Sequence, residues 1–232
     1  MEQVIDNNNQ GVYYYEAGHL ENASSCFRNA LYGISLLRDV TIQNSDSPQF
    51  AQHICSPIKG WSLPAKSSKK TSDEGFSLPF SRIMLLQDCD AQPASLFRFN
   101  VVTLAILFNS AVVNHAYSDS HGQITEAIEA AYEGYENAFM ILENLIDDPD
   151  RSSSSFSLHS KIVRAALFNN MGALFHNNLC RYRDATRCFR SYQHMMGVMD
   201  KQVLQNGFMT TEELRQLSMN LLVVPITTAP SA

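Results

Sequence analysis

A recurring spacing of small and aromatic residues constrains this chain more than any other feature. Gly11-x-x-Tyr14, followed by Gly18 and then Ala23-x-x-x-Phe27-x-x-Ala30, returns later as Gly172-x-x-Phe175 with Ala185-x-x-x-Phe189. Small residues let two antiparallel helices approach, and the aromatic rings fill the space that remains. The glycine-to-alanine distance is twelve residues in the first copy and thirteen in the last, so one extra turn residue is expected near Arg181. Ala111 with Ala131-x-x-x-Tyr135-x-x-Ala138 is a weaker copy, with Asn114 in the aromatic position and a gap of twenty residues. Two further correspondences keep the same register. Asn9, Asn109 and Asn170 each stand two residues before the small residue, and Cys26 and Cys188 each precede the matching aromatic.

Apolar periodicity predicts the elements around these anchors. Leu20, Ala23, Phe27, Ala30, Leu31, Ile34 and Leu37 recur at helical offsets of three and four, after a first helix from about Val4 that ends at Gly18-His19. These form a first hairpin, 4–40. Leu96 to Tyr117 is almost continuously apolar, Ser118 to Gly122 reads as a turn, and Ile124 to Leu145 resumes the pattern until Asp147-Asp148-Pro149 stops it. This second hairpin covers 94–148. A third, 156–200, follows the serines at Ser152 to Ser155, and a last amphipathic piece, 210–224, starts at Thr210-Thr211-Glu212-Glu213. Residues 41–93 differ: prolines (Pro48, Pro57, Pro64, Pro79, Pro93) and serines interrupt them, and their acidic and basic side chains balance. We expect an irregular insertion with short extended pieces near Ile58–Leu63 and Phe76–Leu86 and a flexible tip near 65–75.

On the small-and-aromatic motifs quoted above, the chain resembles a tetratricopeptide-repeat (TPR) protein over roughly 150 residues. It departs from a regular array in the insertion after the first hairpin and in the length of the later helices. The resemblance implies one all-α domain, 1–232: a right-handed superhelix of about three antiparallel hairpins plus a C-terminal helix, interrupted by the insertion. In TPR proteins the first helices of successive hairpins line a concave groove. Carried over, Asn8, Asn9, Val12 and Tyr15, then Asn109, Val112 and His115, then Asn170, Ala173, His176 and Asn177 should face it. Asparagine offers a donor and an acceptor to a bound peptide backbone, but it can equally satisfy buried groups of a neighbouring helix. No lysine or arginine stands at these positions, which argues against the carboxylate clamp of TPR co-chaperones. The implied function is a noncatalytic interaction module or scaffold that binds a segment of a protein partner.

Composition bounds the alternatives. A net charge of −6 weighs against generic nucleic-acid binding, and five cysteines without CxxC spacing fit free thiols. No apolar stretch of about eighteen residues is evident, and the polar, acidic start Met1–Asn9 lacks the pattern of a secretory signal, so a cytoplasmic or nuclear location is expected, with no membrane partner. The common phosphate, dinucleotide, zinc-protease and serine-hydrolase motifs are absent, and neither cofactor nor metal is expected; His176, Cys180 and Cys188 lack a fourth metal ligand. An enzyme or small-ligand protein with His115 or His176 in an interior pocket is the competing class. Arg181, Arg183, Arg187 and Arg190, interleaved with Tyr182, Phe189 and Tyr192, carry the RNA-binding alternative. The same ridge could instead face the glutamate stripe Glu126, Glu129, Glu133, Glu136 within the chain or on a neighbouring molecule, giving a homo-oligomer through charged outer helices. Lys66-Ser67-Ser68-Lys69-Lys70 reads as a solvated loop, with phosphorylation or a nuclear signal as the sharper alternative.

Overall fold

The computed structural model describes residues 1–44, 61–62, 85–86, 96–146 and 154–205, with side chains over 1–37, 99–146 and 160–197. Six helices account for nearly all of them: α1 (Glu2–Glu16), α2 (Leu20–Asn44), α3 (Leu96–His121), α4 (Thr125–Ile146), α5 (Ser154–Asn177) and α6 (Tyr182–Gln205). The expected C-terminal helix at 210–224, the tip at 65–75 and the Lys66–Lys70 loop lie outside the described residues. Within the expected insertion, α2 continues to Asn44, and the two-residue segments β1 (Trp61–Ser62) and β2 (Leu85–Leu86) pair antiparallel, Trp61 opposite Leu86. Helix α5 begins at Ser154, inside the serine run and two residues before the expected start of the third hairpin at 156.

The chain divides into two compact units. One comprises Met1–Ser67 and Ser81–Ser160, the other Ser68–Phe80 and Lys161–Ala232. In the first unit α1 pairs with α2 and α3 with α4, while α2 packs against α3 and joins the two hairpins. The α5–α6 hairpin belongs to the second unit from Lys161 onward.

Each hairpin closes on the residues that define the repeat. Gly11 lies under the ring of Phe27, and an added Cβ would stand 2.7 Å from Cε1 of that ring; at Gly172 it would stand 2.9 Å from Cε1 of Phe189. Only hydrogen fits at these two places. In the middle hairpin the same joint is built the other way round. Ala111 occupies the small-residue position of α3, and Gly134 on α4 makes room for it, its absent Cβ falling 2.9 Å from the Ala111 methyl. Gly134 holds the position of Cys26 and Cys188, so the second helix gives up a side chain where the first keeps one.

The turns explain the unequal gaps. Helix α1 ends in a Schellman motif: Gly18 sits at φ 82°, Gly18 N–H donates to Tyr15 O and His19 N–H to Tyr14 O. Gly122, at φ 86°, ends α3 with the matching long bond from Gln123 N–H to Ser118 O. Between α5 and α6 the connection is one residue longer, Cys180 takes the left-handed conformation at φ 51°, and Arg181 N–H reaches Phe175 O. This is the extra turn residue that the spacing predicts. The excess length in the gap of twenty in the middle hairpin is not loop. It is helix: α3 runs on through Ser118–His121, which the sequence reads as a turn, and α4 starts earlier relative to Ala131.

Helix α3 is the core of the first unit. Its stretch Phe99–His121, 23 residues at mean hydropathy 1.4, is long and apolar enough to cross a bilayer by length and composition, which the sequence reading did not find. Yet 67% of that window is buried inside the fold, as in a central helix of a globular protein.

Candidate partner-binding surface

The residues carried over from the resemblance are mostly interior. Asn8, Val12, Asn109, Val112, His115, Asn170 and Ala173 are buried, whereas Asn9, Tyr15, His176 and Asn177 are partly exposed. The structure brings two of them together across helices. Asn109 Nδ2 donates to Asn8 Oδ1 at 2.9 Å, and Asn8 Nδ2 donates to Asn9 Oδ1 at 3.2 Å, so α3 is tied to α1 by a polar link inside the core. Asn169 Nδ2 to Asn170 Oδ1, also 3.2 Å, repeats the neighbouring-asparagine bond on α5. Here the asparagines satisfy one another, because an unpaired buried amide is costly.

The histidines are placed differently from each other. His115 is fully buried between α3 and α4, its ring edge-on to Tyr135, with Nδ1 3.4 Å from the Tyr135 hydroxyl and Nε2 3.9 Å from Asp119 Oδ2. An imidazole so enclosed presents no nitrogen to a diffusing substrate. His176 sits at the end of α5 against Tyr182, with Nδ1 2.9 Å from Asn177 Oδ1. Among the described residues no three His, Cys, Asp or Glu side chains converge on a point that could hold a metal.

Accessibility on the first helices follows another register. On α3, Asn100, Thr103, Leu107, Ser110, Asn114 and Tyr117 are partly exposed while nearly every other position from Phe99 to Ser118 is buried; Ala116 beside Tyr117 is the exception. Steps of about 100° per residue place this set on a stripe covering roughly a quarter of the helix circumference. Aligning Ala111 with Gly172 maps it onto α5 at Lys161, Arg164, Phe168 and Met171, and all four are partly exposed there too. On α1 the corresponding positions are Gln3, Asn7, Gln10 and Tyr14, likewise accessible. Asn114, in the aromatic position of the spacing, lies on this stripe, as Tyr14 does on α1. The counterpart on α5, Phe175, is buried, with the Arg181 guanidinium 4.7 Å above its ring.

The accessible line differs in chemistry between α3 and α5. On α3 it is neutral: amides and hydroxyls flank Leu107. On α5 it combines Lys161 and Arg164 with Phe168 and Met171, and Arg164 lies 5.9 Å from the Phe168 ring centroid. The sequence argument from missing cations therefore applies to the first unit and not to α5.

On α6, Arg183, Arg187 and Arg190 are exposed, but Phe189 and Tyr192 point into the core, leaving Tyr182 as the exposed ring of the basic segment. Arg181 is forked onto Asp184, with Nε and an Nη at 2.8 and 2.7 Å. The Cys188 thiol is pushed up to about 11 by burial and then by the nearby Asp184 charge, with Arg181 opposing; Tyr182 is raised first by its hydrogen bond to Cys180. No protein-family model matches the chain, and neither a curated protein nor a solved structure is significantly similar to it.

Proposed function

We propose that this chain is a noncatalytic interaction module of TPR-like helix hairpins that binds an extended partner segment along the accessible stripe of the first helices of its first unit, α1 and α3. The observation that carries the reading is α3: a helix enclosed on all sides except one narrow line, with the equivalent line accessible on α1. A central helix that keeps hydroxyl and amide groups along one line offers hydrogen bonds to a peptide backbone, and Leu107 offers an apolar seat between them. Over the first unit the absence of cations on the stripe favours a neutral or partly apolar segment rather than a carboxylate-clamp ligand. Segment 41–93 is then an insertion between the first two hairpins, and Asn8 and Asn109 are structural links that hold the stripe in place.

The test is capture of partners from lysate by the wild type and by Leu107→Arg/Asn114→Arg, with an outer-face variant, Arg28→Glu, as control. The stripe variant should keep its helical circular-dichroism spectrum and lose at least about nine tenths of a partner that both other proteins recover, one decade in occupancy being the effect of an anchor removed. Equal recovery by all three proteins refutes the assignment.

A further inference from the structure

Two helices present charged lines directly opposite their buried sides. On α4, Glu126, Glu129, Glu133 and Glu136 are all exposed and face away from Ala131, Tyr135, Ala138 and Leu142; the helix carries no lysine or arginine. On α6, Arg183, Arg187, Arg190 and His194 are all exposed and face away from Ala185, Phe189, Tyr192 and Met196. Glu126, Glu129, Glu133, Arg183 and Arg190 make no ion pair among the described residues, and Arg187 has only a long contact of 3.7 Å with Asp184. We propose that the glutamate line of α4 in one copy of this chain docks on the arginine line of α6 in a second copy.

The spacing supports a second copy as the occupant. With a rise of about 1.5 Å per residue, the glutamates stand at about 0, 4.5, 10.5 and 15 Å along α4, and the α6 side chains at about 0, 6, 10.5 and 16.5 Å. No rung is displaced from its counterpart by more than about 1.5 Å, within the reach of a flexible arginine. The next position on each line fixes the direction. Met140, 52% exposed, follows Glu136 on α4, and Gly197, exposed with nothing within 4 Å of an added Cβ, follows His194 on α6. Both lie about 21 Å from the first rung, so with the helices parallel the methionine rests on bare backbone. Like charges disfavour α4 on α4 and α6 on α6. The contact is therefore heterologous, joining different surfaces of the two copies. It uses the outer faces of second helices and is independent of the partner stripe on the first helices.

Sedimentation velocity of the full chain over a concentration series tests this. Association should be evident at about 50 mM salt and at least about tenfold weaker at about 500 mM, where the Debye length has contracted to a few ångströms. Glu129→Lys/Glu133→Lys and Arg187→Glu/Arg190→Glu should each be monomeric with unchanged helical signal, and an equimolar mixture of the two should associate again, because each variant then meets an opposite line on the other. A wild type that stays monomeric at low salt overturns the proposal, as does association that survives either reversal or a mixture that stays monomeric.

Discussion

Gly172→Ala sets two effects of opposite sign against each other at one atom. Alanine in a helix interior is favoured over glycine by about 0.5–1 kcal/mol, because glycine loses more backbone freedom on folding. At Gly172, however, the new methyl would stand 2.9 Å from both Cε1 and Cζ of Phe189 and 3.1 Å from Cδ1. Carbon atoms meet comfortably at about 3.5–4.0 Å, so the ring must retreat by roughly 0.5–1 Å. Phe189 is 5% exposed and has little room to swing. Overpacking of that kind costs about 1–3 kcal/mol, which leaves a net destabilisation of about 0.5–2 kcal/mol. Gly197 provides the control within the same hairpin: nothing lies within 4 Å of its added Cβ, and Gly197→Ala should stabilise by about 0.5–1 kcal/mol. Urea unfolding followed by far-UV circular dichroism, in high salt to suppress contact between copies, gives both values from the shift in midpoint. Phe189→Leu should relieve the clash, so the cycle with Gly172→Ala should show coupling of at least about 0.5 kcal/mol. If Gly172→Ala is as stable as the wild type, or more so, the close approach of glycine and ring is not what fixes this joint.

Two further predictions concern buried polar groups. Asn109→Leu removes the donor that reaches Asn8 Oδ1 and should cost about 1–3 kcal/mol in thermal unfolding, whereas Asn8→Leu/Asn109→Leu should cost less than the sum of the single changes; strict additivity would show that the two side chains do not act as a pair. The Cys188 thiol is held at about 11 against an ordinary 9.0, so its contribution to stability is complete below about pH 9 and is lost as pH rises toward 11, in total about 2–3 kcal/mol. Cys188→Ala should flatten that part of the stability curve, and an identical slope in both proteins would refute the assignment.

Much of the helical scaffold was legible because it rests on local chemistry. Gly18, the Ala23–Phe27 pair and its counterpart Ala185–Phe189 mark a turn and the faces of a hairpin, and the thirteenth residue of the last gap became the left-handed Cys180. The middle hairpin was harder to align because its glycine moved to the other helix. Sequence spacing treats Ala111 as an imperfect glycine, whereas the packed pair Ala111–Gly134 is the same joint with its one missing methyl on the opposite side. The additional helical turns beyond Ser118 were hidden for a different reason. Ser118–His121 has the composition of a turn, but Ser120 Oγ bonds back to Ala116 O and Tyr117 O and His121 stacks on Tyr117, which lets a polar segment remain helical.

The accessible stripe shows what residue type alone left open. Asn109 is polar and recurs in register, which fits a ligand contact or an internal link; two amides that satisfy each other can be enclosed at little net cost, and Asn8 with Asn109 are such a pair. Position along the helix discriminates better. Asn100, Thr103, Ser110 and Asn114 differ by three, seven and four residues, a helical line interrupted only by Leu107, while Asn109 falls more than about 90° away from that line. A polar residue off the line needs an internal partner, and one on the line can remain open to water or to a peptide. The Asn109→Leu and Leu107→Arg/Asn114→Arg variants separate these two roles: the first should lower stability, and the second should lower capture with the helical spectrum unchanged.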